Sequence, residues 1–379
     1  MTDFDNKPIR VAQIMGKMVG GGVESVVMNY YRNIDHSEIQ FDFVVDQDST
    51  RVPRSEIESL GGKIFIVPPY QQVVKYQKTL VNLFRQEKWP IVHSHVNALS
   101  VFPLRAAKKA GVLIRIAHSH STAGQGEYIK NVAKGVLKIF SKVYPTHRLA
   151  CSRYAGNWLF GKEDNFDVMY NAIDLGRFAY NPKTRAQTRA DLGLEDDEFA
   201  IGHVGRFMPQ KNHGFLIDAF AEIARFRDDV VLLLVGDGES KASAEKRVAD
   251  CGIMDKVKFL GQRDDIGRIY QAFDVFALPS LYEGLGLVAI EAQMAGLPCV
   301  LSDAITREVD VTGACEFLSI EDPRGWAEAL VRVADATKRD RALHDVETYF
   351  DDYDIKKASP RLGSYYEKLT AEPHRGGVS

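Results

Sequence analysis

The sequence predicts an α/β protein made of two doubly wound, Rossmann-like domains facing across a cleft. Three observations carry the prediction. Short apolar runs of strand length alternate with segments of helical period through both halves. Glycines recur where a strand passes into a helix. The alternation breaks at YNAIDLGRFAYNP, residues 170–182, and then restarts. A chain of 379 residues suits two domains of ordinary size, and 45% hydrophobic residues are enough for two cores.

Composition narrows the function classes. A net charge of −3 gives no sign of a nucleic-acid partner. Cys151, Cys251, Cys299 and Cys315 form no C-x-x-C pair, which argues against a zinc site or a disulfide framework and fits a reducing cytoplasm. The start, MTDFDNKPIRVAQIMG, is too polar for a signal peptide, and no apolar run approaches the ~20 residues of a membrane span.

The first half opens with a buried strand at Ile9–Met15. It runs into Gly20, Gly21 and Gly22 and a helix at Val23–Arg32. The glycine spacing does not match G-x-G-x-x-G, so no dinucleotide site is assigned. A tight turn and a ligand contact both fit this loop. Strand FDFVVD, a short helix Arg54–Leu60, strand KIFIVP and helix Val73–Lys88 follow. Strand PIVHSH then precedes a helix at Leu99–Ala110, and IRIAHSHS, HRLACS and DVMYN complete the half. In a parallel sheet, ligands gather at the C-terminal strand ends, where His95, His118 and His120 fall. His118 and His120 share one strand face, and a structural role or a metal would each use them.

Lys130, Lys134, Lys138 and Lys142 repeat every four residues beside an apolar stripe in EYIKNVAKGVLKIFSKV. A solvated helix face fits this pattern. So does a surface for anionic lipid or a lipid-diphosphate acceptor.

The second half restarts with a helix at Thr184–Leu192 and a strand FAIGHVG ending at Gly205. Arg206 stands at the strand end and Lys211 near the next helix start, with Gln210 or Asn212 as its cap. A guanidinium fork and a mobile ammonium so placed suit a diphosphate. Strands VVLLLVGDG and VKFLG follow, then a helix in QRDDIGRIYQAF and the strand DVFALPS. The segment YEGLGLVAIEAQMAGLPCVLSD comes next. It reads as a glycine loop, a helix Leu287–Ala295, a stop at Gly296-Leu297-Pro298 and a strand CVLS. Backbone N–H groups and the positive helix end converge at such a loop. Glu283 on the loop and Glu291 on the helix flank it, with seven residues between them. Glu291 interrupts an apolar run and therefore needs a partner, for which a sugar hydroxyl would serve. Pro323–Thr337, Arg339–Tyr349 and Ile355–Leu369 read as helices.

The combination of GGGVE, VGRFMPQKN, LLLVGDG, VKFLG and PSLYEGLGLVAIEAQMAGLP resembles the retaining glycosyltransferases of family 4, over almost the whole chain. VVMNYYRNID and HSHVNALS resemble the branch that makes bacterial exopolysaccharide or capsule. The resemblance implies the two-domain GT-B architecture. Residues 1–175 would form an acceptor-side domain and 176–352 a nucleotide-sugar domain, with 353–379 a terminal helix, returning to the first domain, plus a tail. It implies that Arg206 and Lys211 hold the donor diphosphate and that the backbone from Gly205 and from Gly284, Leu285, Gly286, Leu287 and Val288 lines it. Glu291 would bind the ribose and Glu283 the donor sugar. Gln262 and Arg263 would meet the base, and Gly21 and Gly22 would approach phosphate or acceptor. His120 would stand near the reacting centre with His118 behind it. Lys130 and Lys134 would serve the acceptor side.

The function implied is retaining transfer from a nucleotide-sugar, a UDP-sugar favoured, to a glycan or lipid-diphosphate-linked acceptor, with neither metal nor cofactor. It would take place in the cytoplasm, at the inner membrane face if the lysine stripe meets anionic lipid. A nucleotide-sugar 2-epimerase and a non-catalytic nucleotide-sugar-binding partner subunit are the rival readings.

Overall fold

The computed structural model of the chain describes residues 7–120, 137, 139–162, 165–337 and 349–372. The described residues fall into two compact units. One runs to Ile173 and resumes at Asp352; the other spans Asp174–Asp351.

The first unit is built on a seven-stranded parallel sheet. Its strands are β1 (Ile9–Gly16), β2 (Ile39–Asp46), β3 (Lys63–Val67), β4 (Ile91–Ser94), β5 (Ile114–Ser119), β6 (His147–Ala150) and β7 (Asp167–Val168), in the order β3-β2-β1-β4-β5-β6-β7. The order reverses between β1 and β4. Right-handed crossovers then place the helices before and after that point on opposite faces, which is the doubly wound arrangement. β1, β2 and β4 are largely buried, as strands covered on both faces must be. Leu80, Phe84, Trp89 and Phe160 lie in the core against one face. The last helix, Ile355–Ala371, packs on the helix Gly22–Asn33. The segment before it is tied in by a bridge from Ile173 to Asp354.

The second unit repeats the plan with six parallel strands: β8 (Phe199–Val204), β9 (Val230–Val235), β10 (Val257–Gly261), β11 (Val275–Leu278), β12 (Cys299–Ser302) and β13 (Cys315–Leu318). Their order is β10-β9-β8-β11-β12-β13, with the reversal between β8 and β11. Its core joins Phe199, Phe207, Phe220 and Trp326 to the inward strand residues.

Most expected elements are present within a residue or two. Those not expected include the helices Arg153–Phe160, Leu175–Phe178 and Lys241–Asp250 and the edge strand β13. Ser152 caps the helix Arg153–Phe160 by accepting from Ala155 N at 3.0 Å. β13 is only half-buried along its length, so it lacks the apolar run that marks the inner strands. The helix expected at Arg339–Tyr349 lies almost wholly outside the described residues. Among the described residues, no helix is long and apolar enough to cross a membrane.

Candidate active site

In each unit the reversal of strand order opens a crevice at the C-terminal strand ends, where open parallel sheets bind ligands. In the second unit, the loops after β8 and β11 flank it. These are the segments 205–212 and 279–286, and they carry seven of the expected residues: Gly205, Arg206, Lys211, Glu283, Gly284, Leu285 and Gly286.

Close backbone contacts hold the loop after β8. Gly205 N donates to Val235 O and Phe207 N to Asp237 O. Gly236 and Gly238 have φ of +137° and +153°, and a Cβ at Gly236 would stand 2.0 Å from Gly205 O. Only glycine fits there. Gly205 itself leaves room for Lys211, whose Cδ and Cε would lie 3.2 Å from an added Cβ. Lys211 Nζ therefore reaches across the strand end to Glu283 Oε1, at 2.6 Å. Gln210 Nε2 donates to Tyr282 O at 2.8 Å and approaches Glu283 Oε2 at 3.4 Å. Leu281 N donates to Gln210 O, so the two loops are stitched together. Arg206 is exposed and has no ion-pair partner among the described residues.

The expected helix cap is absent. Gln210 spends its amide on the opposite loop. Asn212 occupies the cap position, but in left-handed backbone (φ 54°) and without a side-chain cap bond. The side chain cannot reach the first turn from that conformation.

Gly284, Leu285 and Gly286 bring the chain from Glu283 to the helix Leu287–Met294. Leu285 is buried, while Gly286, at φ +87°, is an uncapped helix start. Gly286 has no side chain to cap the helix, and the amides of a first turn such as Leu287 and Val288 suit an anion. Glu291, one turn on, has a protein partner that sequence reasoning missed: the Tyr270 hydroxyl lies 2.9 Å from Oε2 and 3.0 Å from Val288 O. Desolvation pushes the Glu291 carboxyl up to about 7, against the Tyr270 hydrogen bond and the charges of Arg177 and Lys211. Arg177 also donates to the carbonyl of Asp264. Gln262 and Arg263 lie exposed on that loop, and Arg263 spends its guanidinium on Asp265 at 2.7–2.8 Å.

In the first unit, Gly21 precedes the helix Gly22–Asn33. Its N–H, with those of Val19 and Gly20, is taken by the Glu24 carboxylate, the Val19 bond being 2.9 Å. The anion in this loop is thus the chain's own, as in a capping box. At Gly22 an added Cβ would meet nothing within 4 Å. His118 and His120 lie buried at the end of β5, beside His93 and His95 from β4. Nitrogens of His93, His95 and His118 come within 4.8 Å of one another. Most of their ring nitrogens are engaged in hydrogen bonds, though: His93 Nε2 to His118 Nδ1 at 3.1 Å, His95 Nδ1 to His120 Nε2 at 2.9 Å, His95 Nε2 to Gln13 Oε1 at 2.8 Å. Burial pushes all four imidazoles down, His120 to about 4, so all are neutral at pH 7. Lys130 and Lys134 lie outside the described residues.

Residues 20–177 match the family profile described as Glycosyltransferase Family 4, and residues 198–336 the one described as Glycosyl transferases group 1. The chain is 34% identical over 377 residues to the putative glycosyltransferase EpsF of Bacillus subtilis (strain 168), across 96% of this chain and 98% of that protein. This chain belongs to glycosyltransferase family 4. It is also 29% identical, over 86% of its length and 88% of the relative's, to the UDP-Gal:alpha-D-GlcNAc-diphosphoundecaprenol alpha-1,3-galactosyltransferase of Escherichia coli. In fold this family 4 glycosyltransferase is similar to Anabaena Alr3699/HepE, crystallised with UDP and glucose. The TM-score is 0.80 at 17% identity, over 96% of this chain and 100% of that one. WaaG, a glycosyltransferase of lipopolysaccharide biosynthesis, gives 0.73 at 14%, over 94% and 99%. The fold is that of the GT-B glycosyltransferases, with two parallel-sheet Rossmann-like domains.

Proposed function

We propose that this glycosyltransferase moves a sugar from a UDP-sugar to a glycan or lipid-diphosphate-linked acceptor in exopolysaccharide or capsule synthesis, retaining the anomeric configuration and using no metal. The observation that carries the reading is the Lys211–Glu283 pair and Glu291 at one helix start at a strand-order reversal, with Arg206 exposed on the same loop as Lys211. Breaking the bond between sugar C1 and the phosphate oxygen leaves positive charge on the ring and negative charge on the departing diphosphate. Arg206, Lys211 and the amides of the first helical turn stabilise that negative charge in the place of a cation. The acceptor oxygen bonds to C1 on the face the phosphate leaves, and its proton passes to the leaving phosphate. Neither glutamate then has to act as a glycosidase acid or base.

Glu291 accepts from the ribose hydroxyls. Glu283 holds Lys211 until the donor binds and then meets the sugar. The backbone around Gln262 and Arg263 takes the base, and His120 contacts a hydroxyl of a bound sugar. The preference for UDP leans on HepE, solved with UDP and with UDP-glucose, and the lipid-linked acceptor on the named galactosyltransferase. The lysine stripe would hold the enzyme at an anionic membrane on the cytoplasmic side.

Thermal-shift titration with UDP, GDP and ADP, on wild type and on Lys211→Ala and Glu291→Ala, tests the donor site. The reading expects the largest shift with UDP and its loss in both variants. Equal shifts in variants and wild type would overturn the assignment. Flotation with phosphatidylglycerol vesicles tests the membrane contact, and equal recovery on neutral vesicles would remove it.

A further inference from the structure

The buried histidines of the first unit form one directed hydrogen-bond chain. The amide of Gln13 sets its direction. Gln13 Nε2 donates to the Tyr366 hydroxyl at 3.3 Å, and its Oε1 accepts from His95 Nε2 at 2.8 Å. The Tyr366 hydroxyl then donates to His93 Nδ1 at 2.7 Å, so His93 carries its hydrogen on Nε2 and donates to His118 Nδ1 at 3.1 Å. His118 in turn carries its hydrogen on Nε2. His95 Nδ1 is therefore bare and accepts from His120 Nε2 at 2.9 Å. The chain ends on His120 Nδ1. This nitrogen is bare, buried, and makes no hydrogen bond among the described residues. Asn171 is its polar neighbour.

We propose that His95, with Gln13 and Tyr366 behind it, is a positioning residue that fixes His120 as the Nε2–H tautomer, so that its Nδ1 accepts a hydrogen bond from a sugar hydroxyl. The inference deepens, and rests on, the assignment of His120 to a bound sugar. It gives the terminal helix Ile355–Ala371 a part in the chemistry, because Tyr366 on that helix relays the polarity from one histidine pair to the other. It also gives a reason for the paired H-S-H runs at 93–95 and 118–120. Two residues per strand repeat put both rings of each pair on one face, and with His93 opposite Ile116 the two ring-to-ring bonds, His93 to His118 and His95 to His120, run diagonally between the strands.

The test has a spectroscopic and a kinetic arm. Long-range 1H–15N spectra of the full chain carrying 15N-histidine, assigned with single histidine variants, read each tautomer directly. The expected result is four Nε2–H imidazoles. A hydrogen on His120 Nδ1 would overturn the proposal whatever the kinetics show. In the kinetic arm, His95→Leu removes the acceptor, whereas His95→Asn keeps an oxygen where Nδ1 stood. The expected result is a kcat at least tenfold lower in the leucine variant with KM for the donor within twofold, and recovery of most of that loss in the asparagine variant. Equal kcat for both variants and wild type would also overturn it. His120→Ala separates the two layers. If it turns over like wild type while the spectra show a bare Nδ1, the role of His120 falls and the tautomer assignment stands.

Discussion

Lys211 Nζ lies 2.6 Å from Glu283 Oε1, with the two side chains only 13% and 11% exposed. The pair joins the loop after β8 to the loop after β11 and brings a cation and an anion to the same helix start. Enclosed to this degree, neither charge is well hydrated alone, so breaking the pair costs more than the pair contributes. Lys211→Met and Glu283→Gln should each lower stability by about 2 kcal/mol, and the double variant should recover more than half of that loss. Urea denaturation measures all three. Additive losses would mean that the pair is not coupled.

Glu291 gives a pH signature. Its folded carboxyl sits at about 7 against an ordinary value of 4.5, because burial disfavours the charge. Between those values the folded state holds a proton that the unfolded state has lost. This residue's contribution to stability therefore falls as pH rises from 4.5 to about 7 and is flat above. The stability difference between Glu291→Gln and wild type should grow in favour of the variant across that window, by about 1–3 kcal/mol. Tyr270→Phe removes the hydrogen bond that holds the value down, so the inflection should move to higher pH. A pH-independent difference would show that Glu291 is ionised throughout.

The buried histidines give the opposite slope. His93, His95, His118, His120, His203 and His213 are all held below 6.5 by desolvation. The stability tied to their neutral forms is complete above 6.5 and is lost as pH falls below it. Acid unfolding of wild type should therefore begin near pH 6, before most carboxylates titrate. Leucine at His203 or His213 should flatten the onset. An onset only below pH 4.5 would contradict the buried neutral state.

Three glycines separate packing from ligand contact. Gly236→Ala places a Cβ against Gly205 O in backbone that side chains avoid, and should cost more than about 3 kcal/mol or prevent folding. Gly205→Ala should fold but push the Lys211 stem aside, lowering turnover about tenfold. Gly22→Ala meets nothing and should leave stability within about 0.5 kcal/mol of wild type. Turnover lost at Gly22 with stability intact would mark a ligand passing over it; turnover unchanged would assign that loop to folding alone.

Much of this was legible in the chain. Buried parallel strands declare themselves as apolar runs, which is why β1, β8 and β9 stood out while the half-exposed β13 did not. Arg206, Lys211, Glu283 and Glu291 could be named because strand ends and glycine loops bound their positions. Partners across the fold could not. Tyr270 meets Glu291 through packing between two helices, and Tyr366 meets His93 across 273 positions. The loop Gly20–Gly22 fitted a tight turn and a ligand contact alike, and the Glu24 carboxylate from the following helix takes its backbone N–H groups. Side-chain reach decides such contacts, and spacing does not encode it.

The most direct test of the account is nucleotide release from UDP-, GDP- and ADP-sugars with chelator present and a lipid-diphosphate glycan as acceptor, with the anomeric configuration of the product read by NMR. The account predicts turnover of a UDP-sugar in chelator, a product that keeps the donor's configuration, and loss of both in Lys211→Ala. Transfer that needs a divalent cation, or that inverts the anomeric centre, would contradict it.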